Sequence, residues 1–290
     1  MGKYSDALIK ARGRKTKPSI IEPPKREVKT APQVKTTPEM IDALRLDTTT
    51  PQGLGQILPT PESPMDPRLV SFLQQDSIAC ECFKQLRAKI LTRNSDSPPR
   101  TIMVTSPQPF DGKTTVAAAL AINIAQGINE HVMLVDCDLR RPSMHKVLGL
   151  NPHQGVREYL ETGTSIASYL MNTPVKKLTL LPAGKPPSNP SELLSSEKMA
   201  ILVQELKGRY EDRYIIFDAP PSQFTAEVTF LAPMMDGVLL VIRSGKTVRE
   251  LLLKAAEDIG IQRILGVVFN ASPSLPRTYR HYYRYYSNQQ

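Results

Sequence analysis

Short continuous runs of apolar residues recur through the middle of the chain, each bounded by polar or helix-forming stretches. Six of them read as β-strands: residues 101–105 (TIMVT), 131–135 (HVMLV), 178–181 (LTLL), 214–217 (YIIF), 237–242 (GVLLVI) and 264–269 (ILGVVF). Helical stretches separate several of these runs, at 114–126, 156–162, 190–208 and 247–259. Continuous apolar strands alternating with helices indicate a mainly parallel sheet buried on both faces. The right-handed crossover rule then places the loops after these strands along one edge. The expected fold is α/β, a three-layer arrangement with helices flanking the sheet.

A further helix is expected over 66–91, with a break near Asp76, and residues 94–100 (NSDSPPR) read as a linker. Residues 1–66 are rich in Pro, Thr, Lys and Arg and lose hydrophobic periodicity after Ala11. Such a segment buries too little apolar surface to offset its ordering entropy, so a disordered N-terminal tail is expected. Residues 3–11 (KYSDALIKA) are the exception, a short helix with Leu8 and Ile9 on one side. Residues 271–290 again lack periodicity. They hold Tyr279, Tyr282, Tyr283, Tyr285 and Tyr286, interleaved with Arg277, Arg280, His281 and Arg284. The expected organisation is a basic tail (1–66), a nucleotide-binding domain (67–270) and a disordered Tyr-rich C-terminal tail (271–290).

The formal charge of +9 suggests nucleic acid, an anionic surface or phosphorylated ligands as partners without choosing among them. Three cysteines, with no pair spaced as zinc ligands, fit a reducing compartment. No apolar run reaches the ~18–20 residues that span a bilayer. An intracellular soluble chain is expected.

Residues 105–115 (TSPQPFDGKTT) follow a strand and open a helix, the context a phosphate loop needs. Backbone N–H groups of this P-loop and of the helix N-terminus would face phosphates. Lys113 would meet the β- and γ-phosphates, and Thr114 would offer its hydroxyl to Mg²⁺. Thr115 would support the phosphates or cap the helix. Ser106, Pro109, Asp111 and Gly112 belong to the same binding loop. The first glycine of the usual loop pattern is replaced by Pro107. Two more strand-end motifs share this edge: VDCDLRR, with Asp136, Asp138 and Arg140, and FDAPP, with Asp218. Three carboxylates there call for a cation, and Mg²⁺ takes oxygen ligands together with phosphate and water. Asp138 and Asp218 are expected in the metal shell. Asp136 is expected to orient or deprotonate an acceptor hydroxyl, and Arg140 to steady phosphate charge.

Together these motifs resemble the bacterial tyrosine kinases of exopolysaccharide and capsule operons, within the deviant P-loop ATPases, and residues 3–11 (KYSDALIKA) resemble the start of the exosortase-associated branch. The match rests on Ser106, Pro109, Gly112, Lys113 and Thr114; on Asp136, Asp138 and Arg140; on Asp218, Pro220 and Pro221; and on the tyrosine-rich tail. Lesser matches are residues 181–196 (LPAGKPPSNPSELLSS) and the strand-end Asn270, counted with the nucleotide-binding residues. The resemblance spans about residues 77–290. It implies an ATP- and Mg²⁺-dependent tyrosine autokinase whose tail tyrosines are phosphorylated in the site of a neighbour within a ring-like homo-oligomer. It also implies regulation of polysaccharide polymerisation and export, through a separate membrane-bound chain-length regulator, and reversal by a cognate phosphotyrosine phosphatase. The chain would then sit in the cytoplasm, held at the inner face of the plasma membrane by its partner. Glu81, Lys84 and Arg87 match the family's E-x-x-R-x-x-R oligomerisation helix, with Lys84 in place of Arg. Phe110 stands where the family usually has Gly, a residue that readily takes φ > 0.

Two other readings remain open from the residues. One is a nucleotide-dependent switch of the septum-positioning or partition type, although Gln108 stands where those proteins carry an extra lysine. The other is a catalytically weakened regulatory subunit. The Arg/Tyr tail mixes basic and aromatic residues as single-strand binders do. Its tyrosines lie in a terminal tail and not on a sheet face, so no nucleic-acid partner is expected.

Overall fold

The computed structural model describes residues 64–73, 77–93, 98–210 and 213–273. The N-terminal segment, including residues 3–11, and all five tail tyrosines lie outside the described residues.

Among the described residues, seven strands form one sheet in the order β3-β4-β2-β5-β1-β6-β7. They are β1 (Thr101–Thr105), β2 (His131–Asp136), β3 (Met171–Asn172), β4 (Leu178–Leu181), β5 (Arg213–Asp218), β6 (Gly237–Arg243) and β7 (Ile264–Asn270). Every pairing is parallel except β3 with β4. The six apolar runs became six strands. The seventh, β3, has only two residues, too few to leave an alternating signal, and it covers the β4 edge.

The helices are α1 (Pro67–Leu73), α2 (Ile78–Leu91), α3 (Lys113–Ala125), α4 (Met144–Val147), α5 (Val156–Thr162), α6 (Pro190–Leu194), α7 (Glu197–Arg209), α8 (Glu227–Leu231) and α9 (Arg249–Ile259). The expected helix over 66–91 is α1 plus α2, restarted where the Ser77 hydroxyl accepts the Cys80 N–H. The expected helix over 190–208 is also two helices. Ser196 ends the first segment and caps α7 by accepting the Met199 N–H at 3.3 Å.

Alternation along the strands builds a core on each face. In β1, Ile102 and Val104 join α1, α2 and α3 on one side, while Met103 joins α7, α8 and α9 on the other. Helix α3 is apolar nearly all round because it lies between the sheet and the α1–α2 pair, and its alanines permit that close fit. Such a buried helix is a rigid base for the loop that precedes it.

Candidate active site

The central strand order β2-β5-β1 brings three loops together at one sheet edge. Asp136 and Asp218, the last residues of β2 and β5, are register partners, and Val104 of β1 pairs with Asp218. The loops are then stitched to each other. The Thr105 hydroxyl donates to the Pro220 carbonyl at 2.6 Å, and the Ser222 and Gln223 N–H groups donate to the Ser106 and Pro107 carbonyls.

Within the phosphate loop, Phe110 has φ +68° and Gly112 has φ +94°. Only glycine fits the second position, since a Cβ there would lie 2.1 Å from Asn270 Nδ2. That amide donates to the Asp111 carbonyl at 2.8 Å. Phe110 keeps the backbone shape a glycine would give, at a strain of about 1–2 kcal/mol. Its carbonyl accepts from Arg243 Nη1 at 3.3 Å. Gly112 is also the N-cap of α3 and offers no capping side chain. The first-turn N–H groups therefore remain available to an anion. Thr115 sits inside the first turn, so the helix-capping role considered for it does not apply.

Lys113 Nζ lies 2.8 Å from Asp138 Oδ2 and 3.3 Å from Asp218 Oδ1. Burial alone would lower the lysine pKa, but Asp218 and Asp138 outweigh it and hold the ammonium above its ordinary range. The Thr114 hydroxyl donates to Asp218 Oδ2 at 2.7 Å and accepts long contacts from Lys113 Nζ (3.3 Å) and Ser143 Oγ (3.4 Å), which a bound cation would replace. Burial raises the Asp218 carboxyl, against the opposing pull of Lys113 and the Thr114 hydroxyl. Asp136 is fully buried. Its two oxygens accept the backbone N–H groups of Asp138 (3.1 Å) and Met144 (3.2 Å). Burial, and after it the Asp218 charge, pushes its carboxyl up to about 8.

A cavity of about 550 Å³ opens over this loop, in the range of small-molecule sites. Of the expected residues, Pro109, Gly112, Lys113 and Thr114 form its wall, together with Thr115, Asp138 and Arg140. Ser106, Asp111, Asn270, Asp136 and Asp218 stand behind that wall. Ser106 Oγ donates to the Gln108 carbonyl, and Asp111 accepts from the Thr247 hydroxyl at 2.7 Å. These residues shape the loop. Asp136, expected at the acceptor hydroxyl, has no exposed surface, and its two oxygens accept amides of the turn that presents Asp138. Arg140 reaches the cavity in a fixed pose: Nε donates to Glu227 Oε1 at 2.8 Å and Nη2 to Ser191 Oγ at 3.0 Å. Glu227 has no exposed surface. Sequence reasoning missed it, because one acid in an apolar helix reveals no partner.

A mainly apolar wall that presents Lys113, the Thr114 hydroxyl and the Asp138 carboxylate at a bare helix start fits a magnesium nucleotide. Among the described residues, no three His, Cys, Asp or Glu side chains converge to hold a metal unaided. On α2, Lys84 lies 3.5 Å from Glu81, both partly exposed. Arg87 turns to its own chain, donating to Glu130 at 3.2 Å and to the Asn123 carbonyl at 3.3 Å.

The fold and the loop geometry define a P-loop ATPase architecture. No protein-family model matches the chain. Over 210 residues it is 34% identical to the tyrosine-protein kinase YwqD of Bacillus subtilis, covering 72% of this chain and 87% of that protein. The tyrosine-protein kinase CpsD of Streptococcus agalactiae is 27% identical over 218 residues, 74% of this chain and 93% of that one. Among solved structures, the chimerical protein CapA2B2 superposes with a TM-score of 0.65 at 29% identity, covering 73% of this chain and 94% of that one. The chain belongs to the bacterial tyrosine-protein kinase family.

Proposed function

We propose that this chain is an ATP-dependent protein-tyrosine autokinase that phosphorylates its own C-terminal tyrosine cluster, Tyr279, Tyr282, Tyr283, Tyr285 and Tyr286, in trans. The observation that carries the reading is the placement of Lys113 between Asp138 and Asp218, beside the Thr114 hydroxyl, in the wall of one cavity. When bound, ATP supplies the transferable phosphoryl group and Mg²⁺ neutralises phosphate charge. The loop amides and Lys113 bind and orient the phosphates. Thr114 and Asp138 are the wall's oxygen donors to a cation, and Asp218 aims the Thr114 hydroxyl. Asp138 is the wall's carboxylate, so it also stands where a tyrosine hydroxyl would give up its proton. Arg140, fixed by Glu227 and Ser191, presents a guanidinium to developing charge.

The wider setting belongs to the same reading. The kinase works in a ring-like homo-oligomer built partly on Glu81, Lys84 and Arg87. A separate membrane chain-length regulator of polysaccharide export activates it, and a phosphotyrosine phosphatase resets it.

Incubation of purified protein with Mg-ATP and a phosphotyrosine blot tests the activity. Signal is expected from the wild type and none from Lys113→Met. A silent wild type, even with the regulator's cytoplasmic segment added, would overturn the kinase reading. Asp138→Asn is expected to abolish turnover. If only Asp136→Asn did so, with its melting curve unchanged, the acceptor role would return to Asp136.

A further inference from the structure

A second cavity, of about 560 Å³, adjoins the first, and the two share Arg140, Arg141 and Ser143 in their walls. His145, Lys146 and Lys185 complete its charged lining, and no carboxylate of the described residues contributes to it. Arg140 is paired with Glu227. Arg141, Lys146 and Lys185 enter no ion pair among the described residues. They come from the turn after β2, from α4 and from the loop between β4 and α6. Three backbone segments thus converge to gather like charges in one concavity. Such a groove concentrates positive potential and selects an anion.

The groove's position narrows the choice of anion. It opens beside the cavity in which, on the reading above, phosphate is delivered to tyrosine. Residues 274–290 carry Arg277, Arg280 and Arg284 and no Asp or Glu. An unmodified tail is therefore repelled by the groove. One phosphotyrosine adds roughly −1.5 to −2 charge and three strong acceptor oxygens, which the guanidinium and ammonium groups of the groove can pair.

We propose that this groove is a docking site for a phosphotyrosine of the chain's own kind of tail, holding a singly modified tail while a neighbouring tyrosine is offered to the catalytic cavity. The proposal rests on the autokinase reading. The spacing of the acceptors suits it. Tyr282 and Tyr285 are three residues apart, a reach of about 10 Å in extended chain. Phosphorylation of the cluster then proceeds in succession once the first phosphate is in place.

The test is a binding measurement that needs no turnover. Two fluorescent peptides of residues 274–290, one unmodified and one phosphorylated at Tyr285, are titrated by anisotropy against the full-length dephosphorylated chain. The phosphopeptide is expected to bind about tenfold tighter or better, as charge-assisted pairing implies. Lys146→Ala/Lys185→Ala is expected to erase that difference while leaving the affinity for a fluorescent ATP analogue unchanged. Equal binding of the two peptides, or a preference that survives the double variant, would overturn the proposal. So would phosphatidylglycerol vesicles that bind through the same two lysines and are not displaced by phosphopeptide, since the groove would then face lipid. A chain that selects the phosphopeptide but is silent in the phosphotyrosine blot fails the kinase reading and keeps the groove. An active kinase without selective binding fails the groove alone.

Discussion

At Phe110 the phosphate loop turns through φ +68° with a side chain 81% exposed. Strain and side chain can therefore be separated. Phe110→Gly removes the left-handed penalty of about 1–2 kcal/mol and adds about 0.5–1 kcal/mol of chain entropy to lose. Its expected net effect is a gain of up to about 1.5 kcal/mol, a melting temperature higher by no more than about 6 °C. Phe110→Ala keeps the strain and should leave the melting temperature where it is. A fall on introducing glycine would show that the ring is held by something beyond the described contacts. Gly112 behaves oppositely. Gly112→Ala adds the same backbone penalty and drives the Asn270 amide off the Asp111 carbonyl. A loss on the order of 2 kcal/mol is expected, with weakened binding of fluorescent nucleotide. Asn270→Ala in the same chain should recover part of it, because the two changes share one contact. The glycine was legible from the GKT motif. The amide that enforces it was not, because Asn270 lies 158 positions downstream and meets the loop only through the sheet.

Among the elements, every strand but β3 was legible, because each is a continuous apolar run closed by an acid, a glycine or a turn. The helix interruptions were less so, since Ser77 and Ser196 act as caps only once the backbone has turned to meet them. Two contacts that hold elements together were invisible, and both can be checked. Arg87 ties α2 to α3 through the Asn123 carbonyl and to the segment after α3 through Glu130. Arg87→Ala is expected to cost about 1–2 kcal/mol in urea unfolding of the monomer. A variant that assembles poorly yet unfolds like the wild type would place Arg87 wholly in an interface. Asp236, just before β6, accepts from Lys207 of α7 at 2.8 Å and from the N–H groups of Arg100 and Thr101 leading into β1. Burial pulls its pKa up, but Lys207 and the two amides outweigh it and hold the carboxyl below the ordinary range. A depressed folded pKa gives stability that is full above the unfolded value and lost as pH falls through the folded one. The wild type should therefore lose its advantage over Asp236→Asn below about pH 4. The group is more than a third exposed, so that advantage at neutral pH is held to about 1 kcal/mol or less.

For the whole molecule, charge sets the expected behaviour. The tail is cationic, and the groove beside the site carries Arg140, Arg141, Lys146 and Lys185. One phosphate suits the groove, whereas four or five exceed the charge it can match and reverse the sign of the tail. Multiply phosphorylated tails are then expected to leave the neighbour's site and the assembly to dissociate. Light scattering of fully phosphorylated and dephosphorylated protein should give a lower mass for the former, and equal masses would refute this. The two-cavity layout had no signature in the sequence, since Lys185 and Lys146 stand 39 positions apart and meet only after β4 is laid beside β2. The Asn270 side chain carries a last consequence. One end of its amide donates to the Asp111 carbonyl of the loop, and the other accepts the N–H of Ala271, the residue from which the tail departs. A pull on the tail acts first on the end of β7, and this side chain links that point to the phosphate loop. On the proposed exchange of tails between subunits, tension on a bound tail would be felt by the phosphate loop through Asn270, and Asn270→Ala would uncouple tail binding from nucleotide affinity.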